Sequence, residues 1–258
     1  GPLAFHAGLS QAERRHVRAA VRAGTQRIVF TSPESACGTL LADLEIAATS
    51  GYLRCIVVDE AHIVVAWGDA FRPEFQLLPG LIAHLTAKAA QRLRLVLTTA
   101  TLTASTLSVL KRIFGGSSHI EVVSAVHLRP EPRYWFVRAP DRAAQVRNIL
   151  EAVERVPRPF VLYVTKPDDA DEWYRLLKRH GFQRVRTFHG RTPSIEREDV
   201  LREWASNSID GVVATSAFGL GVDKDDVRTV IHATLPESLD RFYQEAGRGG
   251  RDGRASVS

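Results

Sequence analysis

No Gly-Lys dipeptide occurs anywhere in these 258 residues. The usual Gly-rich loop, whose backbone N–H groups and lysine hold the β- and γ-phosphates of a nucleotide, is therefore missing. Cysteine is scarce as well. Cys37 and Cys55 stand alone, without CxxC pairing or ligand spacing, and read as small buried apolar groups in a reducing cytoplasm. The nine histidines are scattered, with no HxH or HExxH pattern, which argues against zinc and against a metal site built from protein ligands alone. The longest apolar runs are of strand length, so no transmembrane helix and no membrane partner are expected. "GPLAFHAGLS" has neither the basic nor the apolar region of a signal peptide.

Lysine is rare too, 5 residues against 29 arginines. The net charge is +5 and the pI about 9.5. An Arg-rich positive balance suits phosphate contact, and codon usage in a GC-rich genome would produce the same composition. Hydrophobic residues at 45% and charged residues at 24% describe a folded globular chain, not a disordered or fibrous one.

Strand-length apolar runs alternate with helical patterns throughout, which argues an α/β fold with parallel sheets. In the first half, strands are expected at 27–32, 55–60, 94–99 and 120–124, with helices near 36–48, 74–90 and 103–113. The wholly apolar Ile56-Val57-Val58 fits a sheet covered on both faces. Pro130, Pro132 and Pro140 then mark an interdomain linker holding one short strand, "YWFV". Beyond it, strands are expected at 159–165, 184–189, 211–216 and 227–233, and helices near 141–154, 168–180, 194–206 and 238–246.

Several segments carry side chains suited to chemistry. "CIVVDEAH" (55–62) ends an apolar strand in Asp59 and Glu60, at the sheet edge where α/β folds bind ligands. Asp59 there can hold Mg2+ through water, and Glu60 can orient a water against a phosphate; a plain acidic helix cap reads the same way. "TTATLTAST" (98–106) offers the hydroxyls of Thr99, Thr101 and Ser105, or simply an N-cap. "VATSAFGLGVDK" (213–224) places Gly219, Gly221 and Asp223 as a close-approach turn with an acceptor for a ribose hydroxyl, or as an ordinary strand connection. "YQEAGRGGRDG" (243–253) sets Arg248 and Arg251 three residues apart among glycines. If the preceding helix continues, both guanidiniums leave one face, where they suit phosphoryl oxygens; a flexible Arg/Gly tail is the alternative. "AWGDAFRPEF" (66–75) surrounds Arg72 with Trp67, Phe71 and Phe75, either a stacking surface for bases or core aromatics beside a surface charge.

Taken in order, these segments resemble the motifs of RecQ-like DNA helicases of superfamily 2. "TSPE" (31–34) is similar to a nucleic-acid motif of the first domain, "DEAH" to motif II, "AWGDAFRPEF" to the aromatic-rich loop and "TTATLT" to motif III. "FVLYVTKPDDADEWYRLL" resembles motif IV, "VATSAFGLGVDKDDVRTVIH" motif V and "FYQEAGRGGRDG" motif VI. The resemblance implies two RecA-like parallel-sheet domains in tandem, residues 1–127 and 141–258 joined by a 128–140 linker, the first domain incomplete at its N-terminus.

It also implies ATP hydrolysis that drives 3′-to-5′ movement on DNA. Asp59 would bind Mg2+ through water and Glu60 would orient the attacking water. Asp223 and Gly221 would approach the nucleotide, Arg248 and Arg251 would reach its phosphates, and Gln244 would sit at the interdomain contact. His62, Thr99 and Thr101 would couple ATP to DNA, and Trp67, Phe71 and Arg72 would sense the single strand. Contact with DNA, or coupling to it, would also fall to Thr31, Pro33, Thr165, His189 and Thr215. The implied partners are DNA that is single-stranded or carries single-stranded tails, and other subunits of a repair or defence complex.

Two departures stand out. Ala66 and Asp69 occupy positions where the family's aromatic-rich loop usually has Gln and His, which puts the wiring of the DNA signal in doubt. The missing phosphate loop weakens ATP and Mg2+ binding. It leads to the expectation of a piece of a longer helicase, unable to hydrolyse ATP alone. The rival expectation is a non-catalytic helicase-like scaffold that binds DNA or protein within a larger complex. An RNA helicase shares motif II but explains the aromatic-rich loop and "AFGLGVDK" less well.

Overall fold

The computed structural model of the chain describes residues 1–66, 74–100, 102–115, 120–124, 129–219 and 224–258. The chain divides into two compact units, Gly1–Val123 and Ser124–Ser258.

The first unit opens with strand β1 (Leu3–Phe5), helix α1 (Gln11–Arg22), strand β2 (Val29–Thr31) and helices α2 (Pro33–Cys37) and α3 (Leu41–Thr49). Strand β3 (Cys55–Val58), helices α4 (Ile63–Ala66) and α5 (Glu74–Lys88), strand β4 (Arg94–Leu97) and helix α6 (Ala104–Phe114) follow. β1 pairs with β2 and β3 with β4, both in parallel. Helix α1 starts at a reciprocal capping box. Glu13 N–H donates to Ser10 Oγ at 3.3 Å, and Ser10 N–H donates to Glu13 Oε2 at 2.8 Å. Buried Asp43 of α3 ties the helix down, lying 2.6 Å from Arg18 Nε and 3.2 Å from Arg22 Nε.

Three expectations need correction in this unit. Residues 120–124 form no strand, and Val123 is 89% exposed: an apolar run becomes a strand only where a neighbouring ladder takes its N–H and C=O groups. Ile56-Val57-Val58 is not covered on both faces, because Val57 and its register partner Val96 are exposed while Val58 is buried. Cys55 is likewise exposed and Cys37 only half-buried, since the strand alternation turns Cys55 to the open side.

The second unit contains β5 (Pro132–Arg133), α7 (Arg142–Arg155), β6 (Phe160–Tyr163), α8 (Pro167–Arg179), β7 (Val185–Phe188) and α9 (Ser194–Ala205). It continues with β8 (Gly211–Ala214), a 3-10 turn (Ser216–Gly219), β9 (Thr229–His232), α10 (Leu239–Ala246) and β10 (Ser256–Val257). One parallel sheet runs in the order β5-β10-β9-β6-β8-β7. β6 lies inside and is buried along its length, as a strand covered on both faces must be. Its alternation feeds two cores. Phe160 and Leu162 pack with Val153 of α7 and Trp173 and Leu177 of α8, whereas Val161 and Tyr163 pack with Val200 and Trp204 of α9 and with Phe218.

The expected "YWFV" strand is absent. Pairing begins two residues earlier, at Pro132–Arg133, and Trp135 N–H donates to Ser258 O at 2.7 Å. From β6 the chain fills the β8 and β7 side of the sheet, then crosses to β9 on the other side. The carboxyl ends of β6, β8 and β9 therefore flank a reversal of strand order, the usual place for a ligand in such sheets.

Candidate functional site

In the first unit, the parallel register Val58↔Leu97 brings the ends of β3 and β4 level. Thr98 N–H donates to Val58 O, and Ala61 N–H returns to Thr98 O, each at 2.9 Å. This fixes the turn that carries the carboxylates. Asp59 Oδ1 accepts from Thr98 Oγ1 at 2.7 Å and from Glu60 N–H at 2.9 Å. Glu60 has φ +48°, a left-handed conformation that glutamate rarely adopts. Such strain persists only where the surroundings impose it, and it clusters at functional sites. His62 Nδ1 lies 2.9 Å from Thr99 Oγ1 and 3.2 Å from Glu60 Oε2. Of the expected residues, Asp59, Glu60, His62 and Thr99 thus form one group.

Ser105 does not join it. It meets Thr103 at 2.9 Å, and Thr103 caps α6 by accepting from Thr106 N–H at 3.1 Å. Thr98 was not singled out from the sequence; the only signal was its place beside Thr99 at a strand end.

Thr31 ends β2, and Pro33 is the first residue of α2 behind the N-cap Ser32, whose Oγ accepts from Ser35 N–H at 3.3 Å. Trp67, Phe71, Arg72, Thr101, Gly221 and Asp223 lie outside the described residues, as does Asp69.

In the second unit, helix α10 does not run on to carry Arg248 and Arg251. It closes at Gly247, whose N–H donates to Tyr243 O at 2.8 Å, and both arginines stand on the turn that follows. They nevertheless share a hollow, lined by Val161, Trp204, Phe218 and Lys224 as well. Arg248 Nη2 donates to Gly219 O, so the two Gly-rich segments meet in one unit. The approach is close, since a Cβ at Gly219 would lie 2.9 Å from Arg248 Nη2 and the guanidinium would have to shift. Lys224 is held 2.8 Å from Asp226 Oδ1 and 2.9 Å from Asn207 Oδ1. Gln244 lies on α10, half-buried.

The carboxyl ends of β6 and β9 open onto a second hollow lined by Thr165, Ser216, Thr234, Arg241 and Glu245. Thr165 Oγ1 donates to Thr234 Oγ1 at 3.0 Å. His232 Nε2 lies 3.0 Å from Glu245 Oε2, and its ring stacks on Tyr163 at 5.7 Å. Burial pushes the Tyr163 hydroxyl up to about 12, an effect that the Arg248 charge partly opposes. Thr215 lies beyond β8, buried, with its carbonyl accepting from Phe218 N–H at 3.0 Å.

His189 is turned inward. Its Nδ1 accepts from Arg191 N–H at 3.2 Å, which leaves Nε2 as the donor to Asp171 Oδ1 at 3.1 Å. It shapes the turn after β7.

Residues 142–253 match the family model described as the helicase conserved C-terminal domain. The fold resembles the DEAD-box helicase Mss116 bound to single-stranded RNA and UDP-BeF, with a TM-score of 0.74 at 17% identity, covering 100% of this chain and 52% of that one. The chain is α/β with parallel sheets and matches a two-RecA-domain helicase core along its whole length.

More particularly, the chain is a homologue of the RecQ-type superfamily 2 DNA helicases over most of its length. It is 30% identical over 239 residues to the RecQ-like DNA helicase blm-1 of Caenorhabditis elegans, covering 89% of this chain and 23% of the relative. It is 28% identical over 248 residues to the ATP-dependent DNA helicase RecQ of Pasteurella multocida, covering 93% and 36%. The chain spans about two fifths of the length of several relatives that it matches, 40% in three cases. Among the described residues, no helix is long and apolar enough to cross a membrane.

Proposed function

We propose that this chain forms the motor part of a RecQ-type DNA helicase, one that hydrolyses ATP to move 3′-to-5′ along single-stranded DNA. The reading is carried by one observation: Asp59 and Glu60 sit on a turn fixed by Thr98, with His62 and Thr99 hydrogen-bonded behind them. The donor set fits a magnesium ion held through water, because Asp59 is exposed and both of its positioning bonds go to Oδ1. Mg2+ would supply charge neutralisation on the phosphates. Thr98 orients the Asp59 carboxylate, and Glu60 orients the attacking water and draws its proton. Arg248 and Arg251 offer guanidinium charge to the transferred phosphoryl group, Gln244 acts beside them, and Asp223 with Gly221 meets the ribose.

His62 and Thr99 link the carboxylate turn to DNA engagement. Trp67, Phe71 and Arg72 supply the sensing surface, and Thr101 lies on the same relay. Thr31, Pro33, Thr165 and Thr215 bear on the DNA strand, while buried His189 acts by shaping its turn.

The test is ATP hydrolysis by the full-length gene product, measured with single-stranded DNA and with RNA. Stimulation by DNA supports the reading, and stimulation by RNA alone overturns it. The 258-residue chain by itself is expected to hydrolyse ATP negligibly, because it has no Gly-Lys loop. Robust Mg2+-dependent, DNA-stimulated turnover by it would refute that expectation. The same missing dipeptide favours the second reading, a scaffold that binds DNA or protein without catalysis. A full-length product that binds DNA but never hydrolyses ATP would establish it.

A further inference from the structure

The turn after α10 is held from two sides. On one side Gly250 N–H donates to Val227 O at 2.9 Å and Asp252 N–H to Asp225 O at 3.1 Å. On the other side stands Arg129, a residue to which no helicase motif has been assigned above. Its Nη1 donates to Gly247 O at 2.6 Å and its Nη2 to Gly250 O at 2.7 Å. Its Nε lies 3.2 Å from Glu131 Oε2, which orients the guanidinium from behind. A guanidinium presents its donors in a rigid planar fork, so two bonds from one group fix both the separation and the directions of the two carbonyls.

The gripped carbonyls are informative. Gly247 immediately precedes Arg248, and Gly250 immediately precedes Arg251. Gly250 has φ +65°, and a Cβ there would lie 2.3 Å from Arg254 O and 2.9 Å from Glu131 Cβ. The backbone direction at each arginine is thus set where Arg129 holds it.

We propose that Arg129 is a positioning residue for the Arg248 and Arg251 pair, fixing the points from which both side chains project. The proposal rests on the nucleotide role given above to those two arginines. Displacing a charge-stabilising group by about an ångström can cost on the order of 100-fold in rate while leaving binding nearly intact. A role in stability alone would move the melting temperature instead.

The experiment compares Arg129→Ala, Arg129→Lys, Arg248→Ala and the Arg129→Ala/Arg248→Ala double variant in the full-length gene product. It measures DNA-stimulated ATP hydrolysis and amide hydrogen exchange. Arg129→Ala is expected to lower kcat by roughly 10- to 100-fold while KM for ATP moves less than about threefold. Arg129→Lys, able to reach one carbonyl, should fall between, and added guanidinium ion should restore part of the alanine variant's rate. The double variant should be slower than Arg248→Ala by less than the loss that Arg129→Ala causes alone, because only Arg251 is then left for Arg129 to position. Exchange should rise at residues 249–253 and not elsewhere. If Arg129→Ala fails to fold, Arg129→Lys carries both measurements.

Wild-type kcat in the Arg129 variants beside an impaired Arg248→Ala would overturn the proposal. So would unchanged exchange at 249–253. If Arg248→Ala itself keeps full activity, the nucleotide reading fails instead, and exchange alone then decides whether Arg129 holds the turn.

Discussion

Thr98 Oγ1 donates to Asp59 Oδ1 at 2.7 Å, from the end of one strand to the end of its parallel neighbour. The bond restricts the carboxylate, as the proposed role of Asp59 in holding Mg2+ through water would require. Outer-shell partners of this kind are typically worth about 10- to 100-fold in metal affinity or activity. Thr98→Val keeps the strand-compatible shape and removes the donor. It is expected to raise the Mg2+ concentration needed for half-maximal ATP hydrolysis by about tenfold in the full-length gene product. An unchanged Mg2+ titration would show that Thr98 does not orient Asp59.

Gly219 and Arg248 meet through the Gly219 carbonyl, in a space where a Cβ would stand 2.9 Å from Arg248 Nη2. The crowding atom is the tip of a flexible side chain, so Gly219→Ala should move the guanidinium and leave the fold intact. Catalysis is expected to fall by roughly 10-fold or more, with a melting temperature within about 2 °C of wild type. A large drop in melting temperature with normal kcat would mean that Gly219 serves packing instead.

Tyr163 gives the second unit an alkaline limit. Its pKa rises from 10.0 to about 12 because burial penalises the phenolate. Below pH 10 both folded and unfolded states carry the neutral phenol. Between pH 10 and 12 only the unfolded state ionises, so it binds fewer protons and stability falls as pH rises. The loss is on the order of 1–3 kcal/mol by pH 12, and Tyr163→Phe is expected to remove it. Urea unfolding of both proteins from pH 9 to 12 checks this; parallel curves would contradict the shift.

Some of this was legible in the sequence, and the reasons differ by element. Asp59 and Glu60 stood out because an apolar strand stops at them, Thr99 because its hydroxyl follows another strand, and His62 only through the resemblance of "DEAH" to motif II. Thr98 did not, because which of two adjacent threonines faces the carboxylate depends on the Val58↔Leu97 register, a tertiary fact. Helix α1 was missed although Ser10 and Glu13 spell a capping box. The two-residue strand β10 is too short for any periodicity to reveal. The end of α10 at Ala246 was legible, but the conditional continuation carrying Arg248 and Arg251 was not met: their spacing is helical, while Gly247 closes the helix before them. Arg129 was invisible for another reason: its partners are backbone carbonyls more than a hundred positions away, which leave no trace in a local pattern.

Glu60→Gln tests the central claim most directly. The amide keeps the size and the left-handed turn but can no longer accept a proton from water. In the full-length gene product, DNA-stimulated ATP hydrolysis is expected to fall by at least about 100-fold, with ATP and single-stranded DNA still bound. Glu60→Gln that turns over ATP at the wild-type rate would contradict the assignment of this turn as the catalytic centre.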